Sequence, residues 1–171
     1  VYVGPAIAWE MAFLENAEKM GYKSDSREVI EYQRELEETI SSYKKMKEAG
    51  IKILVGGDYG LDIAPHGTYA KDLEHYVNLF GFSNAEALHC ATSLGGEAMG
   101  NDGLLGKLEE GKLADLVIID GNPLEDITIL QDHKKIKAVM KDGLIYQGLT
   151  NKINPYLNEN LKNLSLIKYN I

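Results

Sequence analysis

The chain has 171 residues, of which 44% are hydrophobic and 26% charged, enough apolar mass for a packed core and too much for a disordered segment. Its formal net charge of -8, with 18 basic residues in no long cluster, repels polyanions, so neither nucleic acid nor an anionic membrane surface is expected as a partner. One cysteine, Cys90, excludes an internal disulfide, and no apolar run approaches the roughly 20 residues of a bilayer span, so a cytoplasmic protein is the expectation.

Val1 to Trp9 reads as a short buried strand, with Pro5 putting its far half at an edge or end. It opens without an initiator Met or a basic leader, as expected of a chain that starts inside a domain. From Ser26 the pattern becomes helical, with Val29, Ile30, Leu36, Ile40, Tyr43 and Met46 near helical spacing, acidic residues early, lysines late and Gly50 as the stop. Ile51 to Val55 is a β-branched run ended by Gly56 and Gly57, and strand, helix, strand is the unit of a parallel α/β sheet or barrel. A helix is expected over Thr68 to Phe80, with Leu73, Tyr76, Val77 and Phe80 on one side, and Ser83-Asn-Ala-Glu86 is a capping box opening another through about Leu94. After Gly100 come short β pieces: Leu116 to Ile119, then Ile136 to Met140 and Leu144 to Tyr146 joined by a hairpin-type turn at Lys141-Asp-Gly143. The tail from Leu149 carries a weak helical pattern at Leu157, Leu161, Leu164 and Ile167.

In Gly56-Gly-Asp-Tyr-Gly60 an acid follows the C-terminal end of a parallel strand, the face on which α/β barrels build their sites. From the residues alone, Asp58 reads equally as a turn cap and as a carboxylate awaiting a metal or substrate. His66, in a loop held by Pro65 and Gly67, has the chemistry to bind a carbonyl or a metal, though a lone loop histidine is more often simply solvated. His75 reads as a surface or packing residue, His89 as structural, His133 as exposed and Cys90 as buried and inert. The sequence contains no Cys-x-x-Cys, no His-x-His and no His-Glu-x-x-His, hence no self-contained zinc signature.

Several motifs in order, namely Ile51 to Gly60, Ala64-Pro-His-Gly-Thr68, Ser83 to Thr92, Leu105 to Asp120 and Val139-Met-Lys-Asp-Gly143, resemble the C-terminal portion of the metal-dependent amidohydrolase superfamily. The resemblance implies an α/β fold: 1–103 as the C-terminal part of a (β/α)8 barrel, 104–148 as returning strands of a small β-sandwich, and 149–171 as a tail. It also implies a hydrolase of carbon-nitrogen bonds in amide, carbamate or urea-like small-molecule substrates. One or two divalent ions, zinc foremost, would activate the attacking water, with Asp58 as metal ligand and as the proton shuttle to the leaving nitrogen. Gly-Gly-Asp-Tyr-Gly with Pro-His-Gly-Thr is similar to the subgroup of imidazolonepropionase-like enzymes, prolidase-like peptidases and hydrolases of phenylureas and thiocarbamates, with a lean toward the last. In that subgroup the loop after the last strand shapes the pocket, which makes Tyr59 and His66 the substrate-contact candidates.

The superfamily's other metal ligands belong to earlier strands, and no histidine precedes His66. The missing part of the barrel, or a partner chain supplying it, is therefore an expected partner, and the chain is expected to be inactive alone and to associate through exposed strand edges. The competing reading is a non-catalytic partial domain that acts in assembly, with Asp58 vestigial.

Overall fold

The computed structural model describes residues 1–100 and 103–148, so the helical pattern read in the tail lies outside the described residues. Strand β1 (Tyr2–Val3) pairs in parallel with β2 (Lys52–Ile53), Tyr2 opposite Lys52 and Val3 opposite Ile53, and the Leu54 amide extends the ladder to the Val3 carbonyl at 2.7 Å. Between them run helices α1 (Ile7–Asn16) and α2 (Arg27–Glu48), the helical crossover that a parallel pair requires. Helices α3 (Lys71–Phe80), α4 (Asn84–Ala91) and α5 (Ser93–Ala98) follow. A three-stranded antiparallel sheet completes the described chain, β3 (Leu116–Ile119), β4 (Ile136–Lys141) and β5 (Leu144–Gly148), with β4 in the middle.

The first expectation needs correcting. Only Tyr2–Val3 is strand, and the stretch read as its continuation turns into α1 directly after Pro5 and Ala6. Proline has no amide for a ladder, and the tertiary fold buries Ile7, Ala8, Ala12 and Phe13 of a helix that carries no side-chain cap, Ile7 and Phe13 entering separate apolar clusters. The second strand is also shorter than Ile51 to Val55, because β1 offers only a two-residue partner. α2 has the expected limits: the Ser26 hydroxyl accepts from the Val29 amide, and Gly50 leaves the helix with φ of 71°.

α3 begins at Lys71, three residues later than expected, after a turn in which the Lys71 amide donates to the Thr68 carbonyl. The capping box opening α4 is complete, the Ser83 hydroxyl accepting from the Glu86 amide and Glu86 accepting from the Ser83 amide at 2.7 Å. The helix expected through Leu94 breaks at Thr92, whose φ and ψ of -118° and -90° are not helical, and restarts as α5. The β4–β5 turn is the two-residue hairpin foreseen, with Asp142 and Gly143 both at positive φ. A 3-10 helix over Ile127–Gln131, with no counterpart in the sequence reading, is capped by Asp126 and sinks Ile127 into the core.

That core joins Ile7, Ile53, Leu73, Tyr76, Phe80, Phe82, Ala87, Cys90 and Leu94 to Ile127, so the strand pair, α3 and α4 form one packed body. Tyr43 stacks on Phe80, and the Tyr76 hydroxyl donates to the Leu54 carbonyl, fixing α3 behind the end of β2. The functional consequence is that the loop leaving β2 springs from a rigid base.

Candidate functional site

The loop Gly56–Gly60 starts where the β1–β2 ladder ends. Asp58 is exposed and sits at φ of 54°, a left-handed conformation that aspartate tolerates better than most residues. Gly57 is buried, and a Cβ there would lie 2.5 Å from Cε2 of Tyr59 and 2.7 Å from Cβ of Ala8 in α1. Only glycine lets the Tyr59 ring fold back beneath the loop. The Gly60 amide then donates to the Ala64 carbonyl and the Ala64 amide to the Leu61 carbonyl, both at 2.9 Å, which closes a tight turn.

Aromatic rings surround this turn. Tyr59 meets Tyr69 edge-on with ring centroids 4.7 Å apart, and the Tyr69 hydroxyl lies 2.8 Å from Nδ1 of His66. The His66 ring covers Gly60, with Nε2 only 3.1 Å from where a Cβ would stand. Gly60 has φ of 126°, so its backbone also calls for glycine. Asp58, Tyr59 and His66, the three residues singled out in the sequence, thus lie on one short loop. They differ in orientation: Asp58 and His66 are exposed, whereas the Tyr59 hydroxyl is buried and meets no hydrogen-bond partner among the described residues.

Behind the loop lies a residue the sequence reading did not single out. Asp72, in the first turn of α3, is 0% exposed and neither of its carboxylate oxygens has a hydrogen-bond partner among the described residues. Burial pushes its carboxyl up to about 6, against a smaller opposing influence of the Tyr59 hydroxyl. The Tyr59 phenol is raised too, first by burial and then by Asp72. Neither the Tyr59 hydroxyl nor the Asp72 carboxylate has a hydrogen-bond partner among the described residues. The signal for Asp72 was present in the spacing, since it precedes Tyr76 by one helical turn and Phe80 by two and so shares their buried side.

His75 is buried, with Nε2 unpartnered among the described residues and its pKa lowered chiefly by burial, which decides for packing over surface. His89 is exposed, against the structural role expected of it, because α4 turns Ala87 and Cys90 inward instead. His133 is exposed as expected, and Cys90 is buried with its thiol pushed up to about 11, mainly by burial.

Among the described residues no three His, Cys, Asp or Glu side chains converge as a metal would require. Asp58 is nonetheless a suitable single donor: a carboxylate on the loop after β2, exposed, and in no ion pair among the described residues. The arrangement can offer one oxygen ligand and a proton acceptor on a rigid loop, beside a histidine and tyrosine rings.

The family model described as "Amidohydrolase family" matches residues 11–145. Ochratoxinase of Aspergillus niger is 34% identical over 114 residues, which is 66% of this chain and 24% of the relative, so the chain spans about a quarter of the length of the curated relatives it matches. The crystal structure of A. niger ochratoxinase superposes with a TM-score of 0.75 at 27% identity, covering 89% of this chain and 33% of that one. A Xaa-Pro dipeptidase with methionine bound in its active site superposes with a TM-score of 0.69 at 31% identity, covering 86% and 35%. The α/β fold described above is thus similar to that of amidohydrolase barrel proteins.

Proposed function

Because the chain belongs to the amidohydrolase family, we propose that it contributes Asp58 to a metal-dependent hydrolase of amide-type carbon-nitrogen bonds. The observation that carries this reading is the presentation of Asp58: an exposed carboxylate on the loop that leaves the parallel strand β2, held at φ of 54° next to a buried glycine. The strand pair and helices through residue 103 are read as the C-terminal part of the barrel, 104–148 as returning strands of a small sandwich, and 149–171 as an appended tail.

In this reading Asp58 supplies one oxygen ligand to a divalent cation, zinc foremost, with the remaining ligands coming from other residues of a longer chain or from a partner chain. Such a cation, when bound, supplies water acidified toward neutral pH. Asp58 takes the proton that the attacking water loses and delivers it to the leaving nitrogen, which would otherwise depart as an unstable anion. His66, exposed above Gly60, and the accessible part of the Tyr59 ring are the proposed substrate contacts. The ochratoxinase and Xaa-Pro dipeptidase names of the relatives favour small amide or dipeptide substrates over the phenylurea and thiocarbamate group. We further propose that the active form is an assembly in which the exposed edges of β1 and β2 are covered.

The test is hydrolysis of a panel of Xaa-Pro dipeptides and N-acyl amino acids by the protein purified from its native source, with Asp58→Asn alongside. Turnover lost by a factor of about 100 or more in the variant is expected for removal of a proton-transferring group. An active protein whose Asp58→Asn variant turns over at the wild-type rate would reject the role of Asp58. A protein inactive throughout the panel would favour the non-catalytic assembly reading.

A further inference from the structure

His66 and Tyr69 lie on the turn that leads into α3, and that turn is closed on itself. The Thr68 hydroxyl donates to the Pro65 carbonyl at 2.8 Å, and the Lys71 amide donates to the Thr68 carbonyl at 3.0 Å. Between these bonds the Tyr69 hydroxyl stands 2.8 Å from Nδ1 of His66. Tyr69 is held in turn by its edge-on contact with Tyr59, whose ring packs on Gly57.

A phenol and a neutral imidazole can meet in two ways: the hydroxyl donates to the Nδ1 lone pair, or Nδ1–H donates to the phenol oxygen. Phenol is a weak acid and an imidazole lone pair is basic, so the first is the favourable one. With Nδ1 accepting, the ring hydrogen sits on Nε2. In the imidazolium the phenol oxygen accepts from Nδ1–H, and Nε2 keeps its hydrogen. Nε2 is therefore a donor in both protonation states and has no lone pair for a metal. The ring is exposed, lies over Gly60 with Nε2 only 3.1 Å from where a Cβ would stand, and is engaged through Nδ1. Nε2 meets no hydrogen-bond partner among the described residues.

We propose that Tyr69 is a positioning residue that acts through His66: by donating to Nδ1 it fixes the ring and its tautomer, so that Nε2–H hydrogen-bonds to an acceptor oxygen of the substrate and His66 binds no metal. The kinetic half of the test below rests on the reading of His66 as a substrate contact; the ring-nitrogen half does not.

The experiment uses the native full-length protein. Its first half is nitrogen NMR of ring-labelled histidines at alkaline pH, which distinguishes a protonated from an unprotonated ring nitrogen, with His66→Gln identifying the His66 signals by their loss. Wild type should show a single tautomer with the hydrogen on Nε2. Tyr69→Phe keeps the ring that packs on Tyr59 and loses only the hydroxyl, and its His66 signals should move toward those of a tautomer mixture. In an enzyme shown to be active, Tyr69→Phe should raise KM about tenfold and leave kcat within about twofold. Added to His66→Ala, the same change should alter kcat/KM by less than about twofold, because its route of action is gone. His66→Gln, whose amide nitrogen takes the place of Nε2, should recover part of what His66→Ala loses, and divalent metal content should be the same in both as in wild type. A hydrogen on Nδ1 in wild type, an unchanged His66 ring in Tyr69→Phe, an unaltered KM, additive effects in the double variant, or metal lost from His66→Ala would each overturn the proposal. If the native protein hydrolyses no amide, the functional reading fails by itself, and the ring nitrogens still decide whether Tyr69 sets the donor of His66.

Discussion

Replacing Asp72 by asparagine tests the buried carboxylate quantitatively. The side chain is fully buried, and burial raises its carboxyl from an ordinary 3.8 to about 6. A raised folded-state pKa means that the folded protein holds the proton more tightly than the unfolded chain. The stability contributed by the neutral acid is therefore fully present below pH 3.8 and is lost as the pH rises through about 6. The shift is about 2.2 units, and at 1.36 kcal/mol per unit the loss is about 3 kcal/mol at most. Asparagine has the same shape and cannot ionise, so the stability difference, Asp72→Asn minus wild type, should grow by up to about 3 kcal/mol between pH 4 and pH 7 and then level off. Urea unfolding of both proteins at several pH values, followed by circular dichroism, measures it. A difference that is constant with pH, or that shrinks as the pH rises, would show that Asp72 is not held in a desolvated site.

Two further substitutions bear on the base of the loop and on the core. Gly57→Ala should lower the unfolding midpoint by the equivalent of about 1–3 kcal/mol and reduce hydrolysis disproportionately, since the added methyl meets both Tyr59 and Ala8; thermal unfolding and rate assays measure the two effects. Cys90 is 5% exposed with its thiol pushed up to about 11, so a maleimide should label it slowly at neutral pH in the folded protein and rapidly in urea, as intact mass will report.

Legibility in the sequence followed how local each signal was. The capping box at Ser83 and Glu86 and the Asp142–Gly143 turn are set by neighbouring residues, so both could be read from a few letters. α1 could not: its apolar residues do not keep a clean helical stripe, and what buries Ile7 is Ile53 and its neighbours, dozens of residues away. The 3-10 helix over Ile127–Gln131 is likewise made by docking on α3, where Gln131 donates to Glu74 at 2.8 Å. Asp58 stood out because a strand end and two glycines mark it. Asp72 did not, because an acid in the first turn of a helix is ordinarily a solvated complement to the dipole, and only the spacing to Tyr76 and Phe80 hinted otherwise.

The central claim is that Asp58 is a metal ligand in an amide hydrolase, and it is tested most directly by measuring bound metal and amide hydrolysis together in the native protein and in Asp58→Asn. The account predicts zinc in near-integral amount in the native protein, and loss of activity together with weakened metal retention in the variant. Native protein without divalent metal, or a variant that keeps both metal and activity, would contradict it.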